Sequence, residues 1–204
     1  MLDLNKFSKK TVNSLYQWPY NPEETQGYIL MKKNKLLFAP TEVVSLEKRP
    51  TCFERIGKTS YVNFEPLGGS YNNPIYKKIK NGNQTPVEKE ITLLGTFHSH
   101  PNGCTENVCY LQPPSTIDIN SFRVLCVDLK LPAHVIVAKD RLFFVKTHAA
   151  TKPRFDALFE ELTRLRDKNL SPETQEPLWF DIARRYPDVM NVEVIDFPAG
   201  FELK

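Results

Sequence analysis

The segment that decides the fold of this chain is Thr96-Phe97-His98-Ser99-His100-Pro101. It follows the apolar run 91–95, which predicts a buried strand. Because side chains two residues apart on a strand point to the same face, His98 and His100 share one face and Ser99 points to the other. Two imidazoles on one face, at the end of a rigid strand, supply half of a metal site. A catalytic zinc takes three protein ligands and keeps one position for water.

Two other segments carry side chains that complete such a site. Asp118, in the segment 114–118, can supply the third ligand, and Ser115 precedes it by one helical turn. Glu24 stands just ahead of the apolar run 28–30, which predicts another strand. The sequence therefore offers three metal ligands and a further carboxylate as a candidate base.

The order Glu-x-x-Gly, then His-Ser-His-Pro, then Ser-x-x-Asp resembles the pattern of the JAMM (MPN-domain) zinc metallopeptidases, over roughly residues 22–147. The resemblance implies an α/β protein with the MPN (JAMM, cytidine-deaminase-like) fold. In that fold a mixed central β-sheet is flanked by helices, here with an inserted loop region and a C-terminal helical extension. It also implies one zinc ion per chain, with His98, His100 and Asp118 as metal ligands.

The resemblance assigns roles to two more residues. Zinc lowers the pKa of a coordinated water towards about 7. Glu24 is expected to take a proton from that water and pass it to the leaving amine, and Ser115 is expected to donate a hydrogen bond to the oxyanion. Glu23 adjoins Glu24, and Glu42 lies near the far end of the following hairpin, so both are alternatives for the base.

The expected function is zinc-dependent hydrolysis of an amide bond by a peptidase or isopeptidase. The implied partner is a protein substrate such as a conjugate of a ubiquitin-like protein, as for a deubiquitinase. The alternative is a non-catalytic MPN-like interaction module in a multiprotein complex. A zinc deaminase would need His-x-Glu followed by Pro-Cys-x-x-Cys, and the sequence contains neither.

The spacer between the second histidine and Ser115, residues 101–114, is longer than is usual in that family. A second stretch, residues 41–90, is rich in turn signals such as paired glycines and asparagines. Long connections of this kind are often functional. We therefore expect the spacer and parts of 41–90 to shape the substrate cleft.

The composition is ordinary for a globular protein, with 41% hydrophobic and 25% charged residues in a chain of 204. A net charge of +3 is too small to indicate nucleic-acid binding. No run approaches the ~20 apolar residues that span a bilayer, and residues 1–6 lack the apolar region of a signal peptide. We expect a cytoplasmic protein with no nucleic-acid or membrane partner, and the oligomeric state is left open.

Four cysteines are too few for a disulfide framework. Cys126 lies in an apolar segment and is predicted to be a small buried hydrophobic residue. Cys104 and Cys109 flank the loop that follows the histidines, where free thiols, a disulfide and metal ligation are the alternatives.

A change in composition beyond His148 divides the chain into a catalytic domain, residues 1–150, and a C-terminal helical extension, residues 151–204, which we expect to pack on the core. The predicted helices are a short one within 1–20 that ends at 18–22, then 115–129, 153–168 and 176–186. The predicted strands are 27–31, 36–39, 60–64, 90–97, 134–138, 142–145 and 192–195. The apolar stripe of the second helix is predicted to contain Ile117, Phe122, Leu125 and Cys126.

Overall fold

The structure is a computed structural model, and twelve strands and four α-helices lie within the residues that it describes. The described residues are 9–20, 24–32, 35–45, 52–56, 60–63, 75–78, 84–86, 91–100, 104–105, 108–109, 112–129, 131, 133–148, 150 and 152–197. The strands are β1 (Gln26–Lys32), β2 (Lys35–Ser45), β3 (Cys52–Ile56), β4 (Ser60–Asn63), β5 (Ile75–Lys78), β6 (Gln84–Pro86), β7 (Ile91–Ser99), β8 (Cys104–Thr105), β9 (Val108–Cys109), β10 (Ala133–Val137), β11 (Arg141–Thr147) and β12 (Met190–Asp196). The helices are α1 (Lys9–Gln17), α2 (Thr116–Leu129), α3 (Lys152–Arg166) and α4 (Pro172–Ala183), and a 3-10 turn, Trp18–Tyr20, follows α1.

Ten of the described strands form one sheet in the order β12-β11-β10-β7-β1-β2-β3-β4-β5-β6. The strand β7 lies inside this sheet, antiparallel to β1 and parallel to β10. A parallel pair needs a crossover connection, and α2 lies within the one that joins β7 to β10. The mixed sheet and its helices confirm the predicted α/β class.

Helices cover both faces of the sheet around β7. On one face, Phe97 packs in a cluster with Leu15 of α1 and with Val135 of β10. Trp18 belongs to the same side, where its ring stacks on Phe97 with the centroids 4.7 Å apart. Because residues alternate along the end of β7, the side chains of Thr96 and His98, on either side of Phe97, point to the other face.

The other face carries α2, α3 and α4. There Ile136 of β10, which pairs with His98 in the ladder, packs in a cluster with Ile119 and Phe122 of α2. The other buried members of this cluster are Ala138, Phe143, Val145, Phe155, Leu158, Leu162, Leu165, Trp179, Ile182, Ala183, Tyr186, Val189 and Met190. The cluster crosses the boundary at residue 150, and β12 pairs with β11, so the C-terminal segment shares its core and its sheet with the rest.

Most of the predicted elements are confirmed where the structure describes them. The helix predicted for 1–20 is present as α1, and residues 1–8 lie outside the described part. The strand predicted for 60–64 is β4, and residue 64 also lies outside it. The segment 41–90 continues the sheet beyond β2 as four further strands, whose side chains are not described. Its expected contribution to the cleft stays a prediction.

Two details of the predicted helices were wrong. Ile117 is 75% exposed, whereas Ile119 is buried and shares a stripe with Phe122 and Cys126, because position 117 points about 200° away from position 119 on a helix. The helix predicted for 176–186 is α4, and it begins earlier, at Pro172. Proline is well tolerated as the first helical residue, so α4 can begin at Pro172.

In the part of the chain that the structure describes, no helix combines the length and the apolar character needed to cross a bilayer.

Candidate metal centre

Three side chains from two elements converge beside the end of β7. The Nε2 atoms of His98 and His100 are 3.2 Å apart. The carboxylate of Asp118 places Oδ1 3.1 Å from Nε2 of His98 and Oδ2 3.3 Å from Nε2 of His100. Among the described residues these three form the one group of histidine, cysteine and acidic side chains whose ligand atoms lie close enough together to hold a metal ion.

Hydrogen bonds on both sides fix the end of β7. The backbone N–H of Ser99 donates to the carbonyl of Thr25 at 2.8 Å, and the N–H of Thr25 donates to the hydroxyl of Ser99, also at 2.8 Å. On the other side, the N–H of His100 donates to the carbonyl of Val137 at 2.9 Å. The two histidines are therefore held on a backbone that is tied to β1 and to β10.

The third ligand is held by the start of α2. The backbone N–H of Ser115 donates to Oδ2 of Asp118 at 2.7 Å, and the N–H of Asp118 donates to the hydroxyl of Ser115 at 3.1 Å. This reciprocal pair is a capping box with aspartate in the third helical position. The Ser-x-x-Asp spacing therefore does two things, since it starts the helix and orients the carboxylate towards the histidines.

The tautomer of His100 follows from its second ring nitrogen. Nδ1 lies 3.0 Å from the carbonyl oxygen of Gln112. A carbonyl can only accept, so Nδ1 carries the hydrogen and donates it. Nε2 is then left with its lone pair, which points towards His98 and Asp118. This is the arrangement in which an imidazole ligates a metal while a hydrogen bond to the backbone fixes its ring.

The distances fit a small tetrahedral cation. Zinc bonds to imidazole and carboxylate at about 2.0–2.2 Å, and a tetrahedron of that size has ligand atoms about 3.3–3.6 Å apart. The observed separations of 3.1 to 3.3 Å, with one carboxylate oxygen facing each histidine, lie at or just below the short end of that range. Two nitrogens and one carboxylate oxygen are also a donor set that zinc prefers. The residues thus fit the zinc ion that the sequence predicts.

The site carries a negative charge to meet a cation. Burial alone would raise the pKa of Asp118, but the neighbouring His100 and His98 side chains and Ser115 outweigh burial and hold that pKa well below its ordinary value. Asp118 is therefore ionised throughout the neutral range. The three side chains retain 10 to 16% of their exposure, so the centre is largely dehydrated yet open to a small molecule.

Extending the register of β1 and β7 by two residues predicts that Glu24 lies on the same side of the sheet as the ligands. Gln26 pairs with His98 across β1 and β7, and Thr25 bonds to Ser99, so the next position along the chain, Glu24, lies opposite His100. Residues opposite each other in a ladder have side chains on the same face. Glu24 is exposed, and its carboxylate is not one of the three grouped ligands. That position suits a group that acts on a water and does not hold the metal.

The spacer between the ligands contains a small antiparallel ladder. Its strands β8 and β9 bring the backbones of Cys104 and Cys109 opposite each other. The side chains of these two residues lie outside the described part, so their state stays a prediction. Cys126 is buried at 6% exposure, as predicted, and its thiol is free.

Sequence reasoning missed a buried histidine between the two ligand-bearing elements. His134 on β10 is 1% exposed, with Nδ1 2.9 Å from the hydroxyl of Thr96 on β7 and Nε2 3.5 Å from that of Thr147. Its ring stacks on Phe122 of α2, with centroids 4.1 Å apart. Burial, together with the nearby His98 and against the pull of Asp118, lowers the pKa of His134 to about 3. No sequence pattern points to it, because these contacts depend on how β7, β10 and α2 meet.

Comparison with protein-family models and with curated proteins found no match for this chain. The functional assignment therefore depends on the motif and on the geometry of the centre.

Proposed function

We propose that the protein is a zinc-dependent peptidase or isopeptidase of the JAMM type, with the MPN fold, which hydrolyses an amide bond in a protein substrate. The observation that carries the proposal is the convergence of His98, His100 and Asp118, with Asp118 oriented by a Ser-x-x-Asp capping box. The mixed sheet with helices on both faces is compatible with this fold.

Each remaining role in amide hydrolysis has a candidate residue. Zinc, when bound by these three side chains, would lower the pKa of a water towards about 7 and polarise the amide carbonyl. Glu24, two residues before the Gln26–His98 pair of the ladder, accepts a proton from the attacking water and returns it to the leaving amine. The hydroxyl of Ser115 accepts from the N–H of Asp118 and still has its own proton to donate to the oxyanion.

The substrate class that we propose is a conjugate in which a ubiquitin-like protein is joined to a lysine side chain. Support for it comes from the motif alone, since the described side chains include the three grouped ligands but none of 41–90 and, in the spacer, only those of 112–114. A panel of ubiquitin-like proteins, each joined by an isopeptide bond to a fluorescent lysine peptide, tests this class directly.

The decisive experiment measures the metal content of the purified chain and of two histidine variants. We expect one zinc per chain in the parent and a sharp loss in His100→Ala, because removal of one of three ligands opens the site. The control is His148→Ala, since His148 lies at the end of β11 and its ring contacts Asn191, away from the three ligands. That variant should keep its zinc.

The possible outcomes separate the hypotheses. Full zinc retention by His100→Ala would show that the metal is bound elsewhere. A folded parent without zinc, and without activity after zinc is added, would favour the non-catalytic interaction module. Zinc in the parent with cleavage of a simple peptide amide, but of no conjugate in the panel, would keep the hydrolase and reject the substrate class.

A further inference from the structure

The C-terminal helices reach the loop that leads into the metal centre. Trp179 of α4 is 2% exposed, and its indole N–H donates to the carbonyl oxygen of Pro114 at 3.0 Å. Pro114 directly precedes Ser115, the residue that caps α2 and bonds to Asp118. A side chain 65 residues further along the chain thus touches the backbone next to the cap.

A second contact comes from the end of α3. The guanidinium of Arg166 donates from Nη1 to the hydroxyl of Thr116 at 3.3 Å. Its other nitrogens, Nε and Nη2, donate to Asp167 at 3.1 and 2.9 Å, which orients the group. Trp179 and Arg166 therefore hold the residues on either side of Ser115.

The segment 112–118 connects these contacts to two of the three ligands. At its start, the carbonyl of Gln112 orients the ring of His100, and at its end lies Asp118. Between them, Pro113 and Pro114 are buried, and their fixed φ angles make this part of the backbone stiff. A shift at Pro114 would therefore move both Gln112 and Ser115, and with them His100 and Asp118.

We propose that Trp179, supported by Arg166, is a positioning residue for the metal centre: it acts through Pro114 to hold the His100 ring and the Asp118 carboxylate at their ligating separation. This inference rests on the proposed zinc site, and it gives the C-terminal helices a role in the chemistry as well as in the core. Loss of a hydrogen bond made directly to a metal ligand typically weakens metal binding or activity by about 10–100-fold, and the bond of Trp179 lies one contact further from the ligands.

The test compares Trp179→Phe with Trp18→Phe. Phenylalanine keeps an aromatic ring in the core but cannot donate to Pro114. Trp18 is the only other tryptophan in the sequence, and it packs on Phe97 on the opposite face of the sheet. Zinc affinity is measured by competition with a chromophoric chelator, and the geometry of the site is measured from the visible spectrum of the cobalt-substituted protein.

We expect Trp179→Phe to bind zinc about 10-fold more weakly than the parent, the lower end of that range, and to change the cobalt spectrum, whereas Trp18→Phe leaves both unchanged. Equal zinc affinity and an identical cobalt spectrum in Trp179→Phe would overturn the proposal. If that variant does not fold, Arg166→Met decides the matter, because Arg166 is exposed and its loss spares the core. It should weaken zinc binding in the same direction, and an unchanged affinity would overturn the proposal.

Failure of the proposed function gives a different pattern. If the parent binds zinc but hydrolyses no amide, the comparison of zinc affinity and cobalt spectrum still decides the role of Trp179. If the parent binds neither zinc nor cobalt, the positioning role is rejected together with the site.

Discussion

At the scale of single residues, the role of Glu24 as a base can be tested without disturbing the metal ligands, because Glu24→Gln changes only one carboxylate oxygen. Glu24→Gln keeps the size of the side chain but removes the carboxylate that would accept a proton. We expect the variant to retain its zinc and its melting temperature, while kcat falls by the ~10²–10⁴-fold that general acid–base catalysis supplies. Substrate binding should persist, because no ground-state contact is lost. Zinc content, thermal unfolding and cleavage rate are measured together.

Two neighbouring carboxylates provide the controls for Glu24. Glu23→Gln and Glu42→Gln are expected to cleave at the rate of the parent. An active Glu24→Gln beside an inactive Glu23→Gln or Glu42→Gln would move the base to that residue and leave the metal centre as described.

His134 makes stability depend on pH. Its pKa is lowered to about 3 in the fold, mainly by burial, so between pH 6.5 and 3 the unfolded chain binds a proton there that the folded chain does not. Stability therefore falls as the pH falls through this range, by up to about 1.4 kcal/mol per pH unit. In zinc-free protein, we expect His134→Gln to flatten this slope, as measured by urea unfolding between pH 4 and 7.

A matched variant distinguishes the effect of protonating His134 from the effect of its packing on stability. Phe122→Leu removes the ring stacked on His134 but leaves the imidazole, so it should lower the free energy of unfolding at every pH and keep the slope. A parent-like slope in His134→Gln would mean that other groups cause the acid sensitivity.

The two halves of the centre were predictable from local spacing, and the meeting of Asp118 with the histidines was expected from the family resemblance. Strand alternation places His98 and His100 together, and the spacing from Ser115 to Asp118 is that of a capping box. His134 and Trp179 were not predictable, because each acts across distant parts of the chain: His134 contacts Thr96, and Trp179 contacts Pro114. Nothing in the sequence around these two residues distinguishes them from ordinary core residues.

At the scale of elements, Ser115 serves both the start of α2 and the chemistry. Ser115→Ala removes the hydroxyl that accepts from the N–H of Asp118, which should destabilise the fold by about 1 kcal/mol. The backbone N–H of residue 115 still bonds to the carboxylate, so zinc should remain. The cleavage rate should fall by about 10²–10³-fold, as for loss of an oxyanion donor. Urea unfolding, zinc content and cleavage rate are compared.

The start of α4 supplies the control. Ser171 precedes that helix, but its side chain makes no capping hydrogen bond to the backbone. Ser171→Ala should therefore leave stability, zinc content and activity close to those of the parent. A rate for Ser115→Ala within a few-fold of the parent would reject its oxyanion role and leave its capping role intact.

Most elements follow from periodicity, but their faces and neighbours do not. Both Ile117 and Ile119 are apolar, and only the packing of α2 on the sheet makes Ile119 the buried one. The parallel pairing of β7 with β10 likewise depends on where α2 places the returning chain. A pattern of apolar residues shows that a helix or strand exists, whereas its partners are decided by the fit of distant surfaces.

At the scale of the whole molecule, we expect a chain that ends at residue 150 to lose its folded structure. The deletion removes α3, α4 and β12, and it exposes Ile119, Phe122 and Phe143 of the shared cluster. Soluble yield and a cooperative thermal transition are compared with those of a chain that ends at residue 197, which keeps every described element. A cooperative, zinc-binding fragment 1–150 would show that the two segments fold independently.

The strand β12 occupies one end of the ten-stranded sheet. A strand at the end of a sheet can pair with another chain and so start β-aggregation. In β12, Glu193 and Asp196 place carboxylates among valines and isoleucine. Two copies that approached each other through β12 would bring these carboxylates together. Their repulsion opposes pairing of the sheet with that of a second molecule.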